Sequence, residues 1–195
     1  MPLNQSKDQE LLSDAHLFWL EKTYPNVKVL KADLSESFAK LMSDLTEEFT
    51  MEYTGNPMAK ANTKSRLRMV TLYHVAANVN GIVVGTGNKV EDYGVGFYTK
   101  YGDGGVDIAP LADLYKTEVR ELGRELGVIP EIISATPTDG LWEDGRNDED
   151  QIGASYEQLE EAMETGEGAG LEALLKFNAQ NKHKMDPIPT YKLEV

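Results

Sequence analysis

The chain of 195 residues contains no cysteine, so it has no disulfide framework, no thiolate metal site and no cysteine nucleophile. It has only three histidines, and without cysteines beside them they give no zinc-binding pattern. Basic side chains are also few, because 19 Lys and Arg stand against 33 Asp and Glu, a net charge of −14. This negative charge argues against general binding to nucleic acids or to membrane surfaces, since phosphate groups repel it.

Long hydrophobic runs are missing as well. No apolar stretch approaches the roughly 20 residues of a membrane-spanning helix. The N-terminus lacks the basic patch and the apolar run of a signal peptide. We therefore expect a cytoplasmic protein. A content of 41% apolar and 27% charged residues is typical of a globular protein, and the length suits a single domain over residues 1–195.

The spacing of apolar residues predicts several helices and two short strands. The helices are expected at residues 8–24, 38–45, from 61 to about 78, 114–126, 150–163 and 171–179. Ser35 is a candidate N-cap, and residues 56–61 are expected to form a loop. The apolar runs at residues 27–30 and 82–84 are typical of strands, the second of them buried on both faces of a parallel sheet. Helices that alternate with strands predict an α/β fold with a parallel sheet.

The negative charge is concentrated in one region. Residues 141–172 contain eleven Asp and Glu against the single Arg146, which is −10 of the total −14. We interpret this region as a solvated acidic face. The rest of the chain is close to balanced, so a ligand that carries phosphate could still bind there.

The segment after the second predicted strand has the composition of a ligand site. In a doubly wound sheet, ligands bind beyond the carboxyl ends of the strands. Gly85 and Gly87 allow a close approach of the backbone, Thr86 offers a hydroxyl, and Glu91 offers a hard oxygen for Mg²⁺. The same residues also suit an ordinary strand-to-helix turn, which this segment alone favours.

Residues 93–107 contain five glycines and four aromatic residues, a mixture that is costly to order unless something docks there. One interpretation is a mobile lid that carries Lys100, Asp103 and Asp107, and the other is a glycine-rich hairpin tip. Lys116 is predicted at the start of a helix, where the backbone N–H groups favour anions. It can complete a phosphate site there or be an ordinary exposed lysine.

Seven segments occur in the same order as in one known family. They are residues 61–69, 85–91, 97–107, 113–116, 137–142 and 148–153, and the pair His183-Lys184. In this respect the chain resembles the ammonia-dependent NAD synthetases, members of the ATP pyrophosphatase group with a Rossmann-like (adenine nucleotide alpha hydrolase-like) fold. That family uses ATP to adenylate the nicotinate carboxylate of deamido-NAD, and ammonia then forms the amide of NAD.

The resemblance implies a role for each matching residue. Asp103 and Lys116 would serve catalysis, and Glu91 would bind Mg²⁺, with Asp92 as the alternative ligand. The residues implied in ATP binding are Thr86, Lys116 and Thr138, and those implied in deamido-NAD binding are Arg66, Lys100, Asp107, His183 and Lys184. The resemblance also implies a homodimer packed through the long helix of residues 61–78. Because the chain has no cysteine for a glutaminase reaction, we expect free ammonia as the nitrogen donor.

One family motif is missing. The family begins with a strand and a Ser-Gly-Gly-x-Asp-Ser loop that cradles pyrophosphate, and no Ser-Gly-Gly occurs in this sequence. The resemblance therefore implies an N-terminally incomplete domain, with feeble or no synthesis by the chain alone. The alternative hypothesis is a non-catalytic remnant that binds a dinucleotide or dimerises. A different ATP pyrophosphatase, such as a GMP synthetase, is disfavoured by the segment at residues 99–105.

Overall fold

The computed structural model describes residues 1–3, 5–142 and 144–193. Helices dominate this part of the chain. They are α1 (Lys7–Thr23), α2 (Ser35–Glu48), α3 (Met51–Thr54), α4 (Pro57–Asn78), a π-helix (Lys89–Val95), α5 (Lys116–Glu125), α6 (Pro130–Ile133), α7 (Asp148–Ile152), α8 (Tyr156–Thr165) and α9 (Leu171–Met185). Within the described residues, none of the helices combines the length and the hydropathy of a membrane span.

The predicted helices are confirmed in place, but several of the predicted boundaries are wrong. Residues 57–61 are helical rather than a loop, because the side chain of Asn56 accepts hydrogen bonds from the N–H groups of Met58 and Ala59. Proline suits the first helical position that follows such a cap. Ser35 is the first residue of α2 rather than its N-cap, and its N–H donates to the side chain of Asp33 at 2.8 Å.

The helix predicted at residues 150–163 is two helices. Gly153 ends α7 with φ +86°, a conformation that favours glycine. Ser155 then begins α8 with a reciprocal pair of hydrogen bonds to Gln158, the capping box. At the C-terminal end, α9 continues beyond residue 179 to Met185.

The predicted parallel sheet is represented by one bridge in the described part of the chain. Val84 pairs with Ile108 in the parallel orientation. The N–H of Gly85 donates to the carbonyl of Ile108 at 2.8 Å, and the N–H of Asp107 donates to the carbonyl of Val83 at 2.9 Å. This bridge fixes the start of the segment at residues 85–91.

The strand predicted at residues 27–30 does not form among the described residues. The N–H of Val29 donates to the side chain of Glu21 at 3.0 Å instead of to a neighbouring strand. Leu30, Ile82 and Val84 are all more than half exposed. A strand needs a neighbour to satisfy its backbone groups, and in this part of the chain residues 27–30 have none.

The largest core cluster packs the π-helix against α7, α8 and α9. Val90 and Val95 of the π-helix are fully buried, as are Tyr156 and Leu159 of α8, and Leu174 of α9 closes the cluster. Burial on this scale fixes the π-helix in position. The residue after Val90 is the predicted metal ligand, so this core sets the position of that ligand.

Candidate functional site

A cavity of about 780 Å³ opens between α4, the loop at residues 97–106 and the C-terminal end of α9. This volume is in the range of sites for small molecules. The structure brings six residues of the predicted site to its wall: Arg66, Thr86, Lys100, Asp103, His183 and Lys184. The cavity therefore collects residues from four separate segments of the chain.

Two of the predicted cations hold the loop against α9. The ammonium group of Lys184 donates to the carbonyls of Gly96 at 2.9 Å and Tyr98 at 2.7 Å. Burial lowers the pKa of Lys184, and the charge of Asp103 partly opposes this effect. The ammonium group of Lys100 donates to the backbone carbonyl of a neighbouring site residue, His183, at 2.6 Å. An ammonium group has three N–H donors, so each lysine keeps a donor for a ligand.

The helix α4 holds the other side of the loop. The Nε of Arg66 donates to the carbonyl of Lys100 at 3.2 Å, and the hydroxyl of Thr99 donates to the side chain of Asn62 at 2.8 Å. Ser65, one turn along the helix, contacts the loop as well. Asn62 and Ser65 lie inside a segment that carried the family resemblance, but the sequence reasoning did not identify them as site residues.

Asp107 is placed outside the cavity wall. Its Oδ2 accepts a hydrogen bond from the N–H of Val83 at 2.7 Å, and its Oδ1 accepts one from the hydroxyl of Tyr73 at 3.1 Å. Both oxygens therefore bind protein groups. In this arrangement Asp107 joins α4 to the bridge at Val84.

A second cluster lies around Glu91, apart from the cavity wall. Its Oε1 accepts hydrogen bonds from the ammonium group of Lys116 at 2.8 Å and from the hydroxyl of Tyr156 at 2.7 Å. The same hydroxyl lies 3.1 Å from Oδ2 of Asp148. The predicted metal ligand and the predicted phosphate-binding lysine are thus direct partners. Tyr156 and Asp148 are members of this cluster that the sequence reasoning missed, although Asp148 lies in a segment that matched the family.

Within the described part of the chain, Asp148 is a buried acid with one unpaired oxygen and a raised pKa. It is 6% exposed, and its Oδ1 has no hydrogen-bond partner among the described residues. Burial and then the charge of Glu91 raise the pKa of Asp148 to about 6. A tyrosine hydroxyl has one proton to donate, so Tyr156 satisfies only one of these two carboxylates at a time.

Asp92, the alternative metal ligand, faces a different neighbour. A Cβ added to Gly87 would lie 2.0 Å from Oδ2 of Asp92, so the carboxylate packs directly against the Gly87 backbone. Burial, followed by the charge of Glu91, raises the pKa of Asp92 to about 7. A larger residue at position 87 would therefore displace the carboxylate of Asp92.

We expect Asp92→Asn to change how stability depends on pH. The folded protein binds the proton of Asp92 more tightly than the unfolded chain, in which the pKa is near 3.8. The wild type therefore loses free energy of unfolding as the pH rises from about 4 to about 7, and the asparagine variant lacks this loss. Urea unfolding at about pH 4.5 and about pH 7.5 measures the two stabilities. An equal difference between the proteins at both pH values would contradict the prediction.

The start of α5 is occupied by the protein's own carboxylates. Glu160 accepts hydrogen bonds from the N–H of Thr117 at 3.1 Å and from its hydroxyl at 2.6 Å. Glu118 accepts one from the N–H of Tyr115 at 2.7 Å. The N–H of Thr117, in the first turn of the helix, is therefore already bound by a carboxylate of the protein. We expect the contribution of Lys116 to a phosphate site to come from its ammonium group.

The acidic region was predicted to be a solvated face, but the structure shows that not all of its carboxylates are exposed. Asp148 and Glu160 are both less than 10% exposed and both accept hydrogen bonds. Thr138, just before this region, was predicted to contact ATP, but it is exposed and does not line the cavity. Its hydroxyl donates to the carbonyl of Arg146 at 3.1 Å and accepts from the N–H of Gly140 at 3.2 Å.

The residues around Glu91 fit a magnesium ion that arrives with phosphates. In the described ranges, no three His, Asp or Glu side chains converge as a metal cage. The Oε2 of Glu91 accepts no hydrogen bond within the same ranges. Mg²⁺ is commonly held by one or two carboxylates together with substrate phosphates. The free oxygen of Glu91 is suited to be one such protein ligand.

The fold is shared with solved synthetases of nicotinamide nucleotides. The structure of NMN synthetase from Francisella tularensis is 32% identical and superposes with a TM-score of 0.85, covering 98% of this chain and 76% of that one. NAD⁺ synthetase from Burkholderia pseudomallei is 31% identical with a TM-score of 0.58, covering 78% of this chain and 58% of that one.

Sequence comparison gives the family. The NAD synthase family matches residues 1–187, and the chain belongs to that family. A curated relative, the NH₃-dependent NAD⁺ synthetase of Carboxydothermus hydrogenoformans, is 41% identical over 161 residues, which is 82% of this chain. The matched region spans 65% of that relative's length, just under two thirds.

Proposed function

We propose that the chain takes part in the ATP-dependent amidation of deamido-NAD to NAD, with ammonia as the nitrogen donor. The observation that carries this proposal is the cavity, which gathers six residues of the predicted site in a member of the NAD synthase family. The nicotinate carboxylate attacks the α-phosphorus of ATP and pyrophosphate leaves. Ammonia then attacks the acyl carbon of the adenylate, AMP leaves, and the nitrogen loses one proton.

The residues of the cavity and of the cluster around Glu91 would each take a part in this reaction. Arg66, Lys100, Lys184 and His183 bind the phosphates and ribose of the nicotinate nucleotide through the donors that the loop leaves free. Thr86 and Lys116 bind ATP, and the ammonium group of Lys116 offsets the charge that develops on the leaving pyrophosphate. The carboxylate of Asp103, at the edge of the same cavity, accepts a hydrogen bond from the attacking ammonia.

Asp107 and Thr138, which the resemblance also implies, lie outside the cavity wall. Asp107 would support the deamido-NAD site indirectly, because it joins α4 to the bridge at Val84 directly after the loop. We keep Thr138 as an ATP contact. Glu91 would hold Mg²⁺ on the phosphates of ATP. When bound there, the ion neutralises phosphate charge and orients the leaving group.

A second candidate reaction is the amidation of nicotinate mononucleotide. The NMN synthetase of Francisella tularensis superposes on 98% of this chain with a TM-score of 0.85, against 0.58 for the NAD⁺ synthetase structure. Both reactions share the nicotinate carboxylate, ATP and ammonia. They differ only in whether the site must also hold the second nucleotide.

One assay tests both candidates. The chain is incubated with ATP, Mg²⁺, ¹⁵N-ammonium and either deamido-NAD or nicotinate mononucleotide, and mass spectrometry follows the labelled amide. The same assay is run with a segment carrying the Ser-Gly-Gly-x-Asp-Ser loop joined ahead of Met1. We expect little or no amide from the chain alone, and amide matched by an equal amount of AMP when the loop is supplied. No labelled amide from either nucleotide with the loop present would overturn the proposal and favour a non-catalytic binding role.

The same proposal includes the Rossmann-like parallel sheet and a homodimer. The parallel bridge between Val84 and Ile108 supports the sheet. The exposed side chains of Val70, Val75 and Val79 along α4 and just beyond it support the dimer. The molar mass in solution tests the dimer, and a strictly monomeric chain would contradict it.

A further inference from the structure

We propose that Ser65 is a positioning residue that fixes the carboxylate of Asp103 at the edge of the cavity. The role in catalysis rests on the proposed function, in which Asp103 meets the attacking ammonia. The contact itself can be tested without any turnover.

Ser65 and Asp103 bind each other through two hydrogen bonds. The hydroxyl of Ser65 donates to Oδ1 of Asp103 at 2.7 Å, and the Oγ of Ser65 in turn accepts a hydrogen bond from the N–H of Asp103 at 2.9 Å. The N–H of Thr99 also donates to Oδ1, at 3.0 Å. Oδ1 is thus fully used, whereas Oδ2 makes no hydrogen bond in the described part of the chain. The arrangement leaves one defined oxygen for a ligand.

The rigid partner in this pair is the helix. Ser65 lies within α4 and is 7% exposed, whereas Asp103 is exposed on the loop. A serine inside a helix commonly turns its hydroxyl back to a carbonyl of the preceding turn. Here the hydroxyl instead binds a residue 38 positions further along the chain. Alanine would be the better helix former at this position, so the helix itself does not call for a serine.

The loop is shaped to receive this hydroxyl. A Cβ added to Gly102 would lie 2.2 Å from the Oγ of Ser65 and 2.9 Å from the side chain of Thr99. Only a glycine lets the loop come this close. One helical turn earlier, Asn62 accepts the hydroxyl of Thr99, which is itself 6% exposed. Two contacts from one face of α4 therefore hold the turn that carries Asp103.

The charge of Asp103 also reaches the cations across the cavity. It opposes the lowering of the pKa that burial causes at Arg68 and at Lys184. A fixed carboxylate would keep its distance from these cations constant. A freely rotating one would be drawn to pair with them and would be lost as an acceptor for ammonia.

The test compares Ser65→Ala with Thr63→Ala, a matched loss of a hydroxyl on the same helix. Among the described residues, the hydroxyl of Thr63 binds the carbonyl of Ala59 in its own helix, at 2.8 Å, and no other group. Amide hydrogen exchange is measured at Asp103 and Thr99 in both variants. We expect exchange at these two amides to become about tenfold faster in Ser65→Ala and to stay unchanged in Thr63→Ala. Unchanged exchange in Ser65→Ala would overturn the proposal.

The kinetic arm uses the chain with the Ser-Gly-Gly-x-Asp-Ser loop supplied. We expect kcat/KM for ammonia to fall about tenfold in Ser65→Ala while KM for ATP stays the same. Faster exchange without a change in the kinetics would show a merely structural contact and would also overturn the positioning role. If the wild type forms no amide, the proposed function fails, and the exchange comparison alone decides whether Ser65 holds Asp103.

Discussion

Replacing Lys116 by methionine is expected to weaken nucleotide binding strongly, with the affinity for MgATP falling about 100-fold. The ammonium group of Lys116 forms an ion pair with Glu91, at 2.8 Å. Without it, the carboxylates of Glu91 and Asp148 face the incoming phosphates with no compensating charge. Isothermal titration calorimetry with MgATP measures the loss directly and does not depend on amide formation.

The control for this variant is Lys40→Met, which removes the same charge from an exposed pair with Asp44. Its affinity for MgATP should stay within about twofold of the wild type. The double variant Lys116→Met with Glu91→Gln should recover part of the stability that the single variant loses, because it no longer leaves a partly buried carboxylate unpaired. It should not recover nucleotide binding. An unchanged affinity in Lys116→Met would remove this residue from the ATP site.

The helices were predictable from sequence because their signals are local. Apolar spacing located α1, α5 and α9, and the ends shifted by only a few residues at most boundaries. The start of α4 was missed for an equally local reason. Asn56 and Pro57 are common in loops, but they are also a good N-cap and a good first helical residue, and composition does not separate the two.

The sheet was less predictable because a strand depends on residues far along the chain. The apolar pattern at residues 82–84 predicted a strand buried on both faces. The structure shows parallel pairing at one position, between Val84 and Ile108, and Ile82 and Val84 are more than half exposed rather than buried. The segment at residues 27–30 has the same kind of pattern but no neighbour within the described residues. Pattern alone does not supply the partner that turns an extended segment into a strand.

The candidate site was also predictable only in part, because its contacts join distant residues. The family resemblance supplied residue types, and the structure gathers six of them in one cavity. The partners of those residues were not predictable, because a hydrogen bond such as that from Tyr156 to Glu91 joins positions 65 residues apart. Ser65 and Asn62 were not predicted as site residues because polar residues on a helix surface usually face solvent.

Two substitutions of Tyr156 are expected to separate the contribution of packing from that of hydrogen bonding in the cluster around Glu91. Its side chain is fully buried in the main core, and its ring lies 5.1 Å from the ammonium group of Lys116. Tyr156→Ala opens a cavity there and should lower the free energy of unfolding by about 3–5 kcal/mol. Tyr156→Phe keeps the ring but leaves Glu91 and Asp148 without a hydroxyl donor, which should cost about 1–3 kcal/mol.

Urea unfolding of the two variants measures these losses. The control is Tyr191→Ala, which should change the free energy of unfolding by less than about 0.5 kcal/mol because Tyr191 is 90% exposed. A larger loss in the alanine variant means that the core needs the ring to hold the π-helix, and with it Glu91. Equal losses in both variants would assign the whole effect to the hydroxyl. No loss in Tyr156→Phe would mean that the two carboxylates do not depend on the tyrosine, and Glu91 would then be held by Lys116 alone.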